Sequence, residues 1–361
     1  MKKLIWVLCL CSFTLSQAQA PPRSKIIAYY TGDGEGIKKY PVHQLTHIIY
    51  SFMGIRNDTL GFRNDKQKQT LRDLVALKTK NPQLKIMVAI GGWGGCAPCS
   101  ELFASAEHRV NFAKTTVALL KEYGADGLDL DWEYPVIEGY PGHKYDPADL
   151  GNFTELVKAL RQEMGKDFLL SFAAGGFTKF LKQSIEWNKV APLVDFINLM
   201  TYDLVGGFSK VTGHHTPLRD YNPDQQSTEK CVNWLLDHGV PSNKLIVGAA
   251  FYARVWSGVE NINNGLYQTG TFLRGVPYRN FSTFFSDTSG YTYYWDKKAK
   301  APYQYNATKK LYATFDDKKS IREKTKFIRR KKLAGMMFWE LSQDDPKDGL
   351  VGEMYRRLKG G

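Results

Sequence analysis

The sequence predicts an α/β fold, a (β/α)8 TIM barrel that carries a small α+β insertion between its seventh and eighth strands. Three observations lead there. Eight short, β-rich apolar runs recur along the chain, longer segments with apolar residues three and four apart follow them, and the eighth run ends close to the C-terminus. Such alternation implies parallel strands joined by helical crossovers, and eight units argue for a closed barrel rather than an open sheet.

The strand candidates are Lys25 to Tyr30, His47 to Met53, Leu84 to Gly91, Gly127 to Glu133, Phe168 to Ala174, Val194 to Tyr202, Leu245 to Tyr252 and Leu333 to Leu341. Gln67 to Lys80, His108 to Tyr123, Leu150 to Met164 and Thr228 to His238 have helical spacing. The stretch from Ala253 to Lys332 is too long for one crossover. Its middle holds Tyr291 to Asp296, Pro302 to Asn306 and Leu311 to Phe315, short aromatic-rich runs separated by turn formers or charges, as antiparallel strands would be. Asp317 is placed to cap a further helix with Ile321, Thr325 and Ile328 on one face.

At 43% hydrophobic and 24% charged residues, the chain is of the folded class rather than the disordered or fibrous one. The first twenty residues run from Lys2 and Lys3 through the apolar Leu4 to Leu15 to Ala18-Gln19-Ala20, which reads as a signal peptide removed after Ala20. A membrane anchor would need about 20 apolar residues. Export to an extracellular or periplasmic location is therefore expected, with no membrane partner once the leader is gone. The net charge of +13 is spread in runs such as Lys297-Lys298 and Arg329-Arg330-Lys331-Lys332. No recognition motif accompanies them, so they read as solvated surface and no nucleic-acid partner is expected. Cys9 and Cys11 belong to the leader. Cys96 and Cys99 follow Gly-Gly-Trp-Gly-Gly and read as a local structural disulfide rather than a redox centre, while Cys231 lies on a helix and reads as a buried, inert thiol.

The fourth run, Asp126-Gly-Leu-Asp-Leu-Asp-Trp-Glu133, carries the chemistry. Period-two geometry sets Asp129, Asp131 and Glu133 on one face and Leu128, Leu130 and Trp132 on the other, where barrel helices would cover them. The acids must then face inward or up. Like charges in a low-dielectric interior resist ionising together, so at least one proton should stay bound near neutral pH, as a general acid requires. Asp126 has the opposite parity and reads as holding the preceding turn. A structural network or a metal site is the alternative for such acids. No complementary His or carboxylate cluster stands out, so neither metal nor other cofactor is expected.

The pattern Asp126-x-x-Asp129-x-Asp131-x-Glu133, followed by Tyr134-Pro135, resembles the signature of glycoside hydrolase family 18, the family of many chitinases. Ile90-Gly91-Gly92-Trp93, Met200-Thr201-Tyr202-Asp203, Phe251-Tyr252-Ala253-Arg254 and Phe338-Trp339-Glu340 match further family motifs in order. The resemblance implies one catalytic domain over 21–361, with an α+β chitin-insertion subdomain at about 254–316. One departure is Ala89, where the family often has Ser, which leaves a hydrogen bond in that layer open.

By this resemblance the reaction is a retaining, substrate-assisted hydrolysis of β-1,4-linked N-acetylglucosamine, with Glu133 as acid and base. Asp131 would orient the substrate's acetamido N–H, Asp129 would share the proton of the acid pair, and Tyr202 would hold the acetamido carbonyl. Trp339 would floor the cleaved site, with Tyr29, Phe52 and Trp93 nearby and Met200, Asp203, Tyr252 and Arg254 as walls. Trp256 and Trp295 are weaker candidates for outer subsites. The expected ligand is chitin or its oligomers and the expected state a monomer. The resemblance leaves two rivals, an endo-β-N-acetylglucosaminidase acting on N-glycans and a non-catalytic chitin-binding lectin. The insertion supplies no catalytic motif, so removing Gly265 to Ala313 should leave a folded barrel that still cleaves short soluble substrates.

Overall fold

A computed structural model describes residues 24–221 and 223–359, so the expected signal peptide, with Cys9 and Cys11, lies outside the described residues. The strands are β1 (Lys25–Tyr30), β2 (His47–Arg56), β3 (Thr59–Gly61), β4 (Lys85–Gly91), β5 (Gly127–Asp131), β6 (Leu169–Gly175) and β7 (Phe196–Met200). They continue as β8 (Leu245–Ala250), β9 (Tyr252–Ser257), β10 (Thr271–Pro277), β11 (Thr292–Asp296), β12 (Ala301–Asn306), β13 (Leu311–Thr314) and β14 (Gly335–Trp339). β1, β14, β8, β7, β6, β5, β4 and β2 pair in that order, all parallel, and β1 pairs with β2 to close the ring. This is the (β/α)8 barrel.

Strand parity sorts the core into two layers. Ile27, Tyr29, Ile49, Met87, Ala89, Phe196, Ile246 and Met337 fill the barrel interior, while Ile26, Ile48, Val88, Leu128, Leu130 and Trp132 pack outward under the helices. The helices Asp65–Ala76, Ala106–Tyr123 and Thr228–Asp237 start where Asn64, Ser105 and Ser227 accept a hydrogen bond from the backbone N–H three residues on. Asp317 does the same for Lys318–Lys331, reciprocated by the Ser320 hydroxyl. Each such cap contributes about 1 kcal/mol. Among the described residues no helix is long and apolar enough to cross a membrane.

Between β8 and β14 the order β10-β9-β13-β12-β11 forms an antiparallel sheet. Its first strand starts only one residue beyond β8, so barrel and sheet are almost continuous. Trp256, a candidate outer subsite, is instead fully buried there. It packs on Phe272 and Tyr312 and donates its indole N–H to the Ser209 carbonyl at 3.0 Å. Trp295 lies under the Lys319 ammonium, 4.2 Å away, and does not line the cleft. Behind the sheet, Lys324 is fully buried against Asp316 at 2.6 Å, and Asp316 also accepts from the Ala250 N–H at the end of β8.

Candidate active site

The carboxyl ends of the barrel strands surround a cavity of about 590 Å³. β5 brings Asp131 to it, and Glu133 stands just beyond, because the chain leaves the ladder after Asp131 rather than at Glu133 as the sequence suggests. Phe52 comes from β2, Trp93 from the loop after β4, and Met200, Tyr202 and Asp203 from the end of β7. Tyr252 and Arg254 come from β9 and Trp339 from β14. The peptide bonds Ser51–Phe52, Glu133–Tyr134 and Trp339–Glu340 are cis. Trp339 stacks on Phe52 with ring centroids 5.6 Å apart, giving the cavity a flat apolar floor.

Two expected site residues lie beneath the cavity rather than in its lining. Tyr29 is 1% exposed and donates its hydroxyl to Asp129 at 2.7 Å, so it supports Trp339 from below and cannot touch a sugar. Asp129 is fully buried and accepts also from Ser171 (2.5 Å) and Asn198 (3.0 Å). Three donors therefore satisfy Asp129 although Ala89, its partner across β4, offers none. Burial pushes the Asp129 pKa up, and the three hydrogen bonds oppose that.

Asp131 contrasts with it. It is 4% exposed and its Oδ1 has no hydrogen-bond partner. Burial and then the charges of Glu133 and Asp129 push its pKa well up. Burial first, with Asp203 adding to it, pushes Glu133 up to about 7, and an interaction with Tyr134 opposes the rise. The pair therefore carries a shared proton near neutrality, and one buried Asp131 oxygen has no hydrogen-bond partner among the described residues. Tyr202 packs over Gly248, where a Cβ would come within 3.0 Å of its ring, and its hydroxyl has only the Met337 sulfur at 4.0 Å.

Asp203 stands opposite, in the left-handed region at φ 53. Arg254 donates to both its oxygens at 2.7 and 2.6 Å, and the Tyr252 hydroxyl donates at 2.8 Å. Burial acts to raise the Asp203 pKa, but Arg254 and the neighbouring His215 outweigh it and hold the carboxyl well below its usual range. Asp126, outside the cavity, accepts from the Ile86 N–H and pairs with Lys78 and Lys85. It holds the start of β5, as its parity suggests.

Sequence reasoning did not single out Phe208, Phe272 or Gln343, which complete the lining. Phe208 is 78% exposed and lies 6.1 Å from Trp93, itself 47% exposed, so the two extend an aromatic ridge out of the cavity. The Gly206-Gly207-Phe208 sequence so soon after Asp203 was the available signal. Cys96 and Cys99 are bonded to each other and buried at the base of the Trp93 loop, and Cys231 is a buried free thiol. Among the described residues no group of three or more His, Cys, Asp or Glu is arranged to hold a metal.

Residues 25–344 match Glycosyl hydrolases family 18. Chitinase A1 of Niallia circulans is 37% identical over 302 residues, covering 77% of this chain and 43% of its own length. An endochitinase of Manduca sexta is 33% identical, covering 94% of this chain and 67% of its own. Among solved structures, a cell-surface-expressed multi-modular chitinase of Paenibacillus sp. superposes with a TM-score of 0.88 at 34% identity, over 93% of this chain and 43% of that one. A family 18 N-acetylglucosaminidase of Paenibacillus barengoltzii gives 0.84 at 33% identity, over 92% of this chain and 99% of that one. The chain thus spans less than half the length of the Niallia and multi-modular Paenibacillus proteins.

Proposed function

The chain belongs to Glycosyl hydrolases family 18, and on that premise we propose that it is a chitinase, hydrolysing β-1,4-linked N-acetylglucosamine polymers and oligomers with retention of anomeric configuration. The observation that carries the reading is the buried carboxyl pair at the end of β5, with burial raising both members, set beside the stacked Trp339–Phe52 floor and the Tyr202 phenol.

A 2-acetamido sugar stacked on Trp339 would bring its anomeric carbon over this pair. Its carbonyl oxygen attacks that carbon, the glycosidic C–O bond breaks, and Glu133 transfers its proton to the departing oxygen. Asp131 accepts the acetamido N–H and balances the positive charge spread over the resulting oxazolinium ring. The Tyr202 hydroxyl donates to the acetamido oxygen and holds it below the anomeric carbon. In the second step water adds to the anomeric carbon from the face opposite the acetamido oxygen, the one the leaving group vacated, giving its proton to the Glu133 carboxylate as the bond to the acetamido oxygen breaks. Both reactants reside in one molecule, so the proximity advantage is large and no enzyme nucleophile is needed.

Chitin oligomers as substrates and Glu133→Gln as the variant test the proposal. The parent should release products and the variant should bind oligomers while losing about 10²–10⁴-fold or more in turnover. Retention of most activity by Glu133→Gln would overturn the assignment of the acid. Similarity over the full length of the Paenibacillus barengoltzii N-acetylglucosaminidase favours a second reading, release of single sugars. Mass spectrometry of the first products from a hexamer separates the two, since dimers and longer fragments support chitinase action and monomer alone supports the other.

A further inference from the structure

His215 lies behind the site wall on the long connection after β7. Its ring is fully buried against Tyr252, with centroids 5.3 Å apart. The backbone holds it firmly, since its N–H donates to the Thr314 hydroxyl at 3.2 Å and its carbonyl accepts from Leu204 at 3.0 Å. Nδ1 stands 3.5 Å from Asp203 Oδ1, and neither ring nitrogen has a good hydrogen-bond partner. A buried imidazole whose Nε2 lacks a partner and whose Nδ1 has only the long approach to Asp203 is costly, and such polar groups in a native structure call for an explanation. The cleft-lining carboxylate within its reach is Asp203.

The charged and titratable groups facing His215 are Asp203 from the end of β7, Arg254 and Tyr252 from β9, and Asp316 from beyond β13, which is itself paired with Lys324. With a neutral imidazole, Asp203 and Arg254 cancel. With an imidazolium, the cluster gains a positive charge behind the cavity in which an oxazolinium cation must form.

We propose that His215 is a positioning residue for the reaction proposed above, a neutral imidazole that directs Nδ1–H at Asp203 to set the carboxylate's orientation, and whose protonation turns the cluster against the cationic intermediate. The inference rests on the chitinase reading. Burial disfavours the imidazolium while the Asp203 charge favours it, and burial is the larger influence, so the neutral form is the working one. The Asp203 charge in turn helps to keep Glu133 protonated. His215 thus acts on the acid through Asp203, without touching substrate.

The test uses the full chain and three variants. His215→Phe removes the donor and the titration, and should lower kcat on a soluble N-acetylglucosamine oligomer about tenfold with little change in KM, as misplacement of a supporting group does. His215→Gln restores a donor without the titration. It should recover most of that loss and move the acidic limb of the kcat profile down by about one pH unit. Profiles of parent, Gln and Phe forms that superimpose would overturn the proposal. A direct arm needs no turnover: ring-nitrogen NMR of His215, assigned by difference with His215→Gln, should show its titration midpoint falling in Asp203→Asn. An unchanged midpoint would dissolve the pairing, whereas a parent that cleaves nothing would count against the chitinase reading alone.

Discussion

The reaction needs one proton retained on the Glu133–Asp131 pair near neutral pH, and the two carboxyls keep it by sharing a buried site with little else to stabilise charge. Burial raises both, and the charges of Glu133 and Asp129 raise Asp131 further, so the pair gives up its protons in two separated steps. With Glu133 pushed up to about 7, kcat/KM on chitin oligomers should fall about tenfold per pH unit above that value. A rate still rising through pH 8 would contradict Glu133 as the donor. The two carboxyls also differ in what they do for the leaving group. A substrate with an activated leaving group should partly rescue the first step of Glu133→Gln and rescue Asp131→Asn less, because only the former lacks a proton donor; single-turnover kinetics on both variants would reveal equal rescue if the roles were wrong. The same burial has a cost in stability. A carboxyl whose pKa rises on folding contributes fully below its unfolded value and loses that contribution as pH climbs through the folded value. Glu133→Gln escapes this loss, so its Tm should exceed the parent's by about 2–4 °C at pH 8 and by less at pH 5. Calorimetry at the two pH values checks it, and equal gains would show that ionisation is not the cause.

The loop after β4 shows how one element delivers one side chain. Gly91, Gly92 and Gly94 lie at φ 93, 76 and 86, and a Cβ on Gly92 would come within 2.3 Å of the Phe52 ring. The backbone thus passes directly over Phe52 and lifts Trp93 to the rim, while the Cys96–Cys99 bond closes the loop's far side. A bridge across so few residues removes little chain entropy, about 2 kcal/mol, so its effect is local more than global. Replacing both cysteines by alanine should cost on the order of that much in stability but raise KM for long oligomers, because Trp93 loses its fixed height. Denaturant midpoints and KM measured together decide this, and an unchanged KM would mean the glycines alone hold the loop. Disulfide and loop were both legible as local patterns in the chain. Strand ends were not. β5 stops at Asp131 and β8 at Ala250 although the apolar character runs on through Trp132 and Phe251, since what ends a barrel strand is the loss of its neighbours. Tyr29 misled for a related reason, its partner Asp129 being 100 residues away and invisible to any local reading.

At the scale of the molecule the barrel emerged from periodicity because inward and outward residues alternate in every strand, and the catalytic strand could be oriented from its leucines alone. Three strands of the inserted sheet, β11 to β13, were legible in the sequence, but β9 and β10 were not, nor was the sheet's bearing on the site, which depends on pairings distant in sequence. Reading it as a detachable wall implies that the chain without Gly265 to Ala313 still cleaves short substrates, and the structure argues against this. β9 carries Tyr252 and Arg254, which hold Asp203, and its two ladder partners, β10 and β13, fall wholly or largely within the removed stretch. Phe272 and Gly275 of the cleft lining go with them, as does Asp296, to which His214 and Tyr221 hydrogen-bond. Unpaired, β9 would expose the Trp256 face and release Arg254, leaving Asp203 a cleft carboxylate without its main counter-charge. We therefore expect the deletion to abolish turnover of short soluble substrates as well as long ones, even where circular dichroism shows the barrel still folded. Phe272→Ala, which trims the wall but keeps β9 paired, should instead raise KM for long oligomers and leave kcat on short ones largely intact. Should the deleted chain cleave a short substrate at close to the parent's rate, the sheet would be a wall after all, and the Tyr252–Asp203–Arg254 cluster would be dispensable for the chemistry.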